Sequence, residues 1–241
     1  MKVLVWNCQG AGSPLTISQL REACNLFSPN MVFLCEPKNR QQFMMKVRRQ
    51  LRFDECVVVE SMNKSGGMIV MWNNEVKVME VQTTAFAMEI HIMDTDKNVD
   101  WWLIEIYAST DNQVRRNQWQ VVQRRKVLWG PRWMITGDFN DITSNEEKWG
   151  GRKREEGTFQ DFRNFIEQNG LIDLGFEGNP WTWSNHWTQE GEIKQRLDRA
   201  LESNVWSQVF DRTLVRRIDN VGSNHSMMLI DSNPLTEKRK K

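Results

Sequence analysis

The chain predicts an α/β fold in which two β-sheets pack as a sandwich with helices outside. Three observations carry this. The opening order is strand, helix, strand; five β-rich apolar runs then follow one another; and stretches with helical spacing bracket those runs on both sides. At 241 residues the chain is long enough for one large domain with a real core. That domain is expected to run through residue 233, with 234–241 as a basic tail.

Taken in order, "KVLVWNC" is a β-branched run broken by "GAGS", and "LTISQLREACNLF" places Leu15, Leu20, Cys24 and Phe27 at helical spacing. "NMVFLCEP" is a second buried strand and "NRQQFMMKVRRQLR" a second helix. The runs "CVVVES", "GGMIVMW", "VKVMEVQ", "FAMEIHIMD" and "DWWLIEIYAS" are separated by short polar turns, the pattern of an antiparallel meander. A helix from about Asn112 to Leu128 leads to the strand "RWMITGDFN" and a polar loop from Asp141 to Gly157. The helix "TFQDFRNFIEQNG" then stops at Gly170. The strand-like "WTWSN", a helix over "QRLDRALESNVWSQVF" and strands around "LVRRIDN" and "MMLID" complete the reading.

Thirty-two basic against thirty-one acidic residues identify no partner through bulk charge. Basic residues do cluster locally, at Arg115/Arg116, at Arg152/Lys153/Arg154 and elsewhere. Four cysteines without a CxxC pair, in a chain opening without a basic-then-apolar leader, suggest a reduced intracellular protein with buried free thiols. No apolar run approaches the ~20 residues that cross a bilayer, so no membrane partner is expected. Twelve tryptophans against one tyrosine leave Tyr107 as the only phenol available for chemistry.

Polar residues recur where apolar strands stop. Asn7 follows "VLVW", Glu36 follows "MVFLC", Tyr107 follows "LIEI", Asp138 and Asn140 follow "WMITG", and Asn224 and His225 precede "SMMLI". Strand ends hold side chains rigidly while leaving them accessible, which is what a cleft needs. His91, inside a strand, and His186, in a loop beside a tryptophan, are read as structural or exposed.

The motifs "WNCQG", "LCEPK", "YAS", "GDFN", "RLDRAL" and "SNHS" occur in the order and approximate spacing of the endonuclease/exonuclease/phosphatase superfamily, which the chain resembles along essentially its whole length. "NEEKWGGR" and "GNPWTWSN" look like its plant LINE-type (non-LTR) retrotransposon branch. The resemblance implies a four-layer α/β/β/α sandwich with two mixed sheets packed face to face. It also implies hydrolysis of phosphodiester bonds with Mg²⁺, for which Mn²⁺ substitutes. It makes Glu36 the main metal ligand with Asn7 beside it, and Asp138 the group that orients or deprotonates the attacking water. Asn140 then holds a phosphate oxygen, Tyr107 supports the phosphate or leaving group, and Asp198 lies near metal and histidine. His225 bonds the phosphate or transfers a proton.

Two positions depart from the pattern. The usual Ser-Asp-His reads Ser-Asn-His here, and Asn224 is expected to replace the acid that orients the imidazole. In serine proteases the comparable change lowers turnover by roughly 10⁴, so an equal or smaller loss is expected. An inactivating substitution, decay of a transposon-derived gene or a tolerated variant each account for it. Gln9 stands where abasic-site enzymes often carry an acid, which predicts a less charged metal site.

Nucleic acid is the expected partner, DNA first and RNA as the alternative, with Arg115, Arg116 and Arg152 on phosphates, Trp183 and Trp181 stacked on a base or filling a minor-groove step, and Asn185 also in the binding surface. The retrotransposon branch implies nicking one DNA strand to leave a priming 3′ hydroxyl, by an excised domain or a stand-alone descendant; a monomer is expected. A binding protein without turnover, a ribonuclease and a phosphatase are the competing readings. The terminal "EKRKK" suggests a nuclear address.

Overall fold

The computed structural model describes residues 1–61, 66–187 and 191–234; the terminal "EKRKK" lies outside them. The amino-terminal half supplies β1 (Lys2–Asn7), α1 (Pro14–Phe27), β2 (Met31–Cys35), α2 (Gln41–Gln50), β3 (Glu55–Val59) and β4 (Met68–Trp72). Then come β5 (Lys77–Thr83), β6 (Ala87–Asp94), β7 (Val99–Tyr107), α3 (Asn112–Trp129), β8 (Trp133–Asp138), β9 (Lys148–Trp149) and α4 (Gln160–Gln168). The remainder is β10 (Leu171–Asp173), β11 (Trp183–Ser184), β12 (Lys194–Gln195), β13 (Asp198–Ser203), α5 (Asn204–Val209), β14 (Leu214–Ile218) and β15 (Met227–Asp231).

These strands form two six-stranded mixed sheets, β14-β15-β1-β2-β4-β3 and β10-β13-β8-β7-β6-β5, with a small third sheet β11-β12-β9. The strand runs are apolar without alternation because both faces are covered. In β1, Val3 and Val5 enter the core between the sheets, while Leu4 and Trp6 pack with Leu20 and Ala23 of α1 and Met44 and Val47 of α2. On the other side, Trp119, Val122 and Trp129 of α3 and Phe162 and Phe165 of α4 cover Ile104, Ile106 and Ile135. The result is four layers, α/β/β/α. Truncating a buried ring such as Trp119 would cost about 3–5 kcal/mol.

The chain makes the same move twice. β1 passes through α1 to the parallel β2, and β7 passes through α3 to the parallel β8. Both crossovers leave their strand ends at one edge of the sandwich, so Asn7, Glu36, Tyr107 and Asp138 gather there.

Two expectations are corrected. The five successive strands are not one meander: β3 and β4 join the first sheet and β5, β6 and β7 the second, the chain changing sheets at the turn after β4. The helix expected over residues 195–210 is confined to α5. Residues 198–203 are instead a strand, buried at every position, between β10 and β8. Leu, Arg, Ala and Glu favour a helix locally, but pairing on both edges overrides that preference.

Candidate active site

The site is built on adjacent strands. In β8, Gly137 has φ +126°, and a β-carbon there would run into the Ile106 carbonyl of β7. Only glycine allows the two strands to approach where Asp138 emerges. Asp138 pairs in register with Tyr107 on one side and Asp198 on the other. Glu36 (φ +53°) and Asn140 (φ +48°) adopt left-handed backbone just past their strands. That conformation costs a non-glycine residue of order 1 kcal/mol and turns both side chains relative to the strand pleat.

His225 Nδ1 lies 2.9 Å from Asp198 Oδ2. Its Nε2 lies 3.7 Å from Asp138 Oδ2. Asp138 is held from several directions: Asn7 Nδ2 donates to Oδ2 at 2.9 Å, the Asn140 amide N–H donates to Oδ1 at 2.8 Å, and Asn140 Nδ2 donates to Oδ2 at 3.2 Å. Asn140 Nδ2 also donates to the Ala108 carbonyl at 2.8 Å. All three members of the Asp138, Asp198, His225 group are buried. Burial pushes the Asp138 carboxyl up to about 7, the positive imidazole partly opposing this and the neighbouring Asp198 adding to it. Burial alone would lower His225, but the carboxylates of Asp198 and Asp138 outweigh it and hold the ring at about 9.

Glu36 forms a second centre. The Tyr107 hydroxyl donates to its Oε1, and the Lys38 ammonium stands 3.1 Å from its Oε2. Burial first, and then the adjacent carboxylate, push the phenol up, so Tyr107 remains a neutral donor.

Among the described residues, Asp138, Asp198 and His225 are a group whose potential ligand atoms lie within 4.8 Å of one another. A cation seated among all three would compete with the imidazole–Asp198 hydrogen bond. At Glu36 a cation would replace the part-exposed Lys38 ammonium, 3.1 Å from Oε2, and would leave the imidazole–Asp198 bond intact. The donors at this end of the sandwich are mainly oxygens, the chemistry of a hard divalent ion. Nearby thiols do not compete: burial pushes Cys8 up to about 12 and Cys35 well above its usual value, so both stay protonated.

Three of the residues read from sequence have other duties. Asn224 does not orient the imidazole; Asp198 does, from the neighbouring strand, and Asn224 uses its backbone, donating to Gln9 Oε1 at 3.1 Å and accepting from the Ser184 N–H at 3.0 Å. Arg115 is buried and its guanidinium is occupied by Asp141 at 2.9 and 3.2 Å, the carbonyls of Ser109 and Thr110, and Asn112 Oδ1. It ties the start of α3 to the loop after β8 and has no donor left for a phosphate. Asn185 spends its amide inside its own loop, donating to the Gly191 carbonyl at 2.8 Å and accepting from Trp187 and Ile193 N–H groups.

Arg116 is exposed and paired with Asp161 of α4 at 2.5 Å. Arg152 is exposed in the loop after β9. Trp183 is half-buried, bridges to His225 across the small sheet, and packs on Ile142, Phe159 and Leu197. It also lines a cleft of about 470 Å³ that runs from His225 past Trp181, Trp187, Lys194 and Arg217. His91 stacks on Trp102 at 4.7 Å and bonds Asp100 at 3.0 Å, and His186 is exposed, as read.

Sequence reasoning missed Lys38, Thr182 and Ser223. The Thr182 hydroxyl accepts from the N–H groups of Leu197 and Asp198, both at 2.9 Å, and so fixes the start of β13. "WTW" gives no sign of this, because the bond joins residues 16 apart.

A four-layer sandwich with polar groups converging at its strand ends defines a recognisable class. The profile of the Endonuclease/Exonuclease/phosphatase family matches residues 4–225, and the chain belongs to that family. Its fold is similar to that of the 3′-5′ exonuclease NExo from Neisseria meningitidis, with TM-score 0.74 and 15% identity over 96% of this chain and 99% of that one. The endonuclease domain of TRAS1, a telomere-specific non-LTR retrotransposon, gives 0.70 and 18% over 95% and 97%. An AP endonuclease from Archaeoglobus fulgidus gives 0.72 and 12% over 96% and 98%. No curated protein matches the chain by sequence.

Proposed function

We propose that this chain is a divalent-metal-dependent phosphodiesterase that nicks DNA and acts as a monomer. The observation that carries the reading is the line Asp198–His225–Asp138, two buried carboxylates flanking one imidazole at the mouth of the sandwich. A phosphodiester is anionic and resists attack, so its cleavage needs a base for water, positive charge for the phosphoryl oxygens and help for the departing alkoxide.

Asp138 is the base. Its carboxyl titrates near neutrality, where a base works best, and Asn7 and Asn140 fix its two oxygens. His225, held by Asp198 and protonated at neutral pH, offers Nε2–H to a phosphate oxygen. Tyr107 and Lys38 sit beside Glu36 and supply neutral and charged donors. Glu36, with Asn7 nearby, would hold Mg²⁺ or Mn²⁺, which supplies charge neutralisation to the phosphate when bound. Arg152 and the tryptophan cleft extend the surface along which a DNA strand would run.

Two findings on structural neighbours support DNA as substrate. NExo is described as a 3′ phosphatase bound to a product DNA hairpin, and TRAS1 as a retrotransposon. With the ring held by Asp198, the reading of a binding protein without turnover, which rests on Asn224 and Gln9, loses the first of its two motives. The test is conversion of supercoiled plasmid to open circles, with Mg²⁺, with Mn²⁺ and with chelator. We expect nicking that requires metal and vanishes in Asp138→Ala. Cleavage of an RNA strand in preference to DNA would move the substrate, and no metal-dependent cleavage of either would overturn the reading.

A further inference from the structure

Gln9 links the two loops that carry the active groups. β1 and β15 are antiparallel neighbours, Val5 opposite Met228, so Asn7 leaves one strand beside the point where His225 approaches the other. Past Asn7, Gln9 takes left-handed backbone at φ +48°. Its N–H donates to Asn7 Oδ1 at 3.3 Å, and its Oε1 accepts from the Asn224 N–H at 3.1 Å. Ser223 doubles the link: its hydroxyl donates to the Asn7 carbonyl at 2.7 Å and accepts from the His225 N–H at 3.0 Å. That proton being committed to Asn7, the 3.4 Å approach of Ser223 Oγ to Gln9 Oε1 is secondary.

Three hydrogen bonds and one charged approach form a ring. Asp138 Oδ2 accepts from Asn7 Nδ2, Asn7 Oδ1 accepts from the Gln9 N–H, Gln9 Oε1 accepts from the Asn224 N–H one residue before His225, and His225 Nε2 faces Asp138 Oδ2 again at 3.7 Å. The His225 carbonyl is fixed separately, by Trp6 Nε1 at 2.9 Å and Asn220 Nδ2 at 2.7 Å. We infer that Gln9 is a positioning residue: its side-chain oxygen clasps the 223–225 loop and sets where His225 stands against Asp138. Position 9 thus faces the histidine loop as well as Asn7. The inference rests on the proposed function for its catalytic consequence and on geometry alone for the clasp.

The test compares three substitutions. Gln9→Leu keeps the bulk and removes the acceptor, Gln9→Asn keeps the chemistry and loses the reach, and Gln9→Glu keeps both acceptor and reach. The readouts are the His225 ring resonances by NMR, resolvable because the chain has three histidines, and kcat and KM for plasmid nicking. Gln9→Leu and Gln9→Asn are expected to move the His225 resonances and lower kcat about tenfold or more with KM unchanged, while Gln9→Glu stays within about threefold of wild type. If Gln9→Leu does not fold, Gln9→Asn carries the comparison. An unmoved His225 signal in a folded Gln9→Leu or Gln9→Asn protein overturns the clasp, as does Gln9→Glu behaving like Gln9→Leu. If the wild type does not nick at all but the resonances follow this pattern, the clasp stands and the nuclease reading falls.

Discussion

Asp198 and Arg199 are consecutive, buried residues of β13 and enter two polar clusters that differ in charge balance. Arg199 bonds Glu147 at 2.7 Å and Asp173 at 3.1 Å, Arg196 bonds the same two acids at 3.2 and 2.7 Å, and the Arg199 guanidinium lies over Phe162. Two cations meet two anions there. Burial acts to raise Glu147, but the guanidinium outweighs it and holds the carboxyl low; burial acts to lower Arg199, and the two acids outweigh it. Asp198, facing the other way, joins Asp138 with one imidazole between them, and Asp138 is pushed up to about 7. A balanced cluster holds strands together. An unbalanced one is left seeking a proton or a cation, which is the condition for acid–base work near neutral pH.

The sharpest way to separate the clusters is Asp138→Asn, which should lower nicking by roughly 10²–10⁴ while leaving the metal-free protein as stable or more so, because a desolvated charge is removed. The reverse pattern is expected of Arg199→Leu. Removing the guanidinium leaves two part-buried acids to Arg196 alone, and urea unfolding should show a loss of about 1–3 kcal/mol, with activity per folded molecule kept. Equal effects on both properties in both variants would erase the distinction.

The same comparison predicts a pH dependence of stability. His225 and Asp138 both have folded-state values raised above their ordinary ones, so each stabilises the fold when protonated and loses that contribution as pH rises, from 6.5 toward about 9 for the ring and from 3.8 toward about 7 for the carboxyl. Glu147, held low, is already ionised there and contributes no slope. Glu105 adds to the fall: it is buried, neither of its carboxyl oxygens has a partner, and burial raises it well above the usual range. Calorimetry on the metal-free protein should therefore show Tm dropping between neutral and alkaline pH, and Glu105→Gln should lessen the slope. The smallest effect is expected of Asn224→Asp, within about threefold in nicking rate, since the ring already rests on Asp198; a gain of a hundredfold would return the orienting role to position 224.

Much of this end of the molecule is legible in the sequence because Asn7, Glu36, Tyr107 and Asp138 each terminate an apolar strand, and an apolar run that stops at a polar residue is a local signal. Asp198 is not legible in the same way. Its segment reads as helix, and only pairing with β8 and β10 makes it a strand. The role given to Asn224 failed for a related reason: adjacency in sequence was taken for adjacency to the ring, whereas the ring's partner is 27 residues away. Arg115 shows the limit of charge clusters, since a buried guanidinium already met by Asp141 looks the same in sequence as a free one.

The central claim, that the unbalanced cluster is the catalytic one and Asp198 governs its histidine, is met most directly by Asp198→Asn assayed for Mg²⁺-dependent plasmid nicking and for thermal unfolding on the same sample. We predict a loss of about a hundredfold or more in rate per folded molecule, with Tm lowered because the buried imidazolium loses its partner. Nicking retained at the wild-type rate, or lost only in step with a lowered Tm, would contradict it.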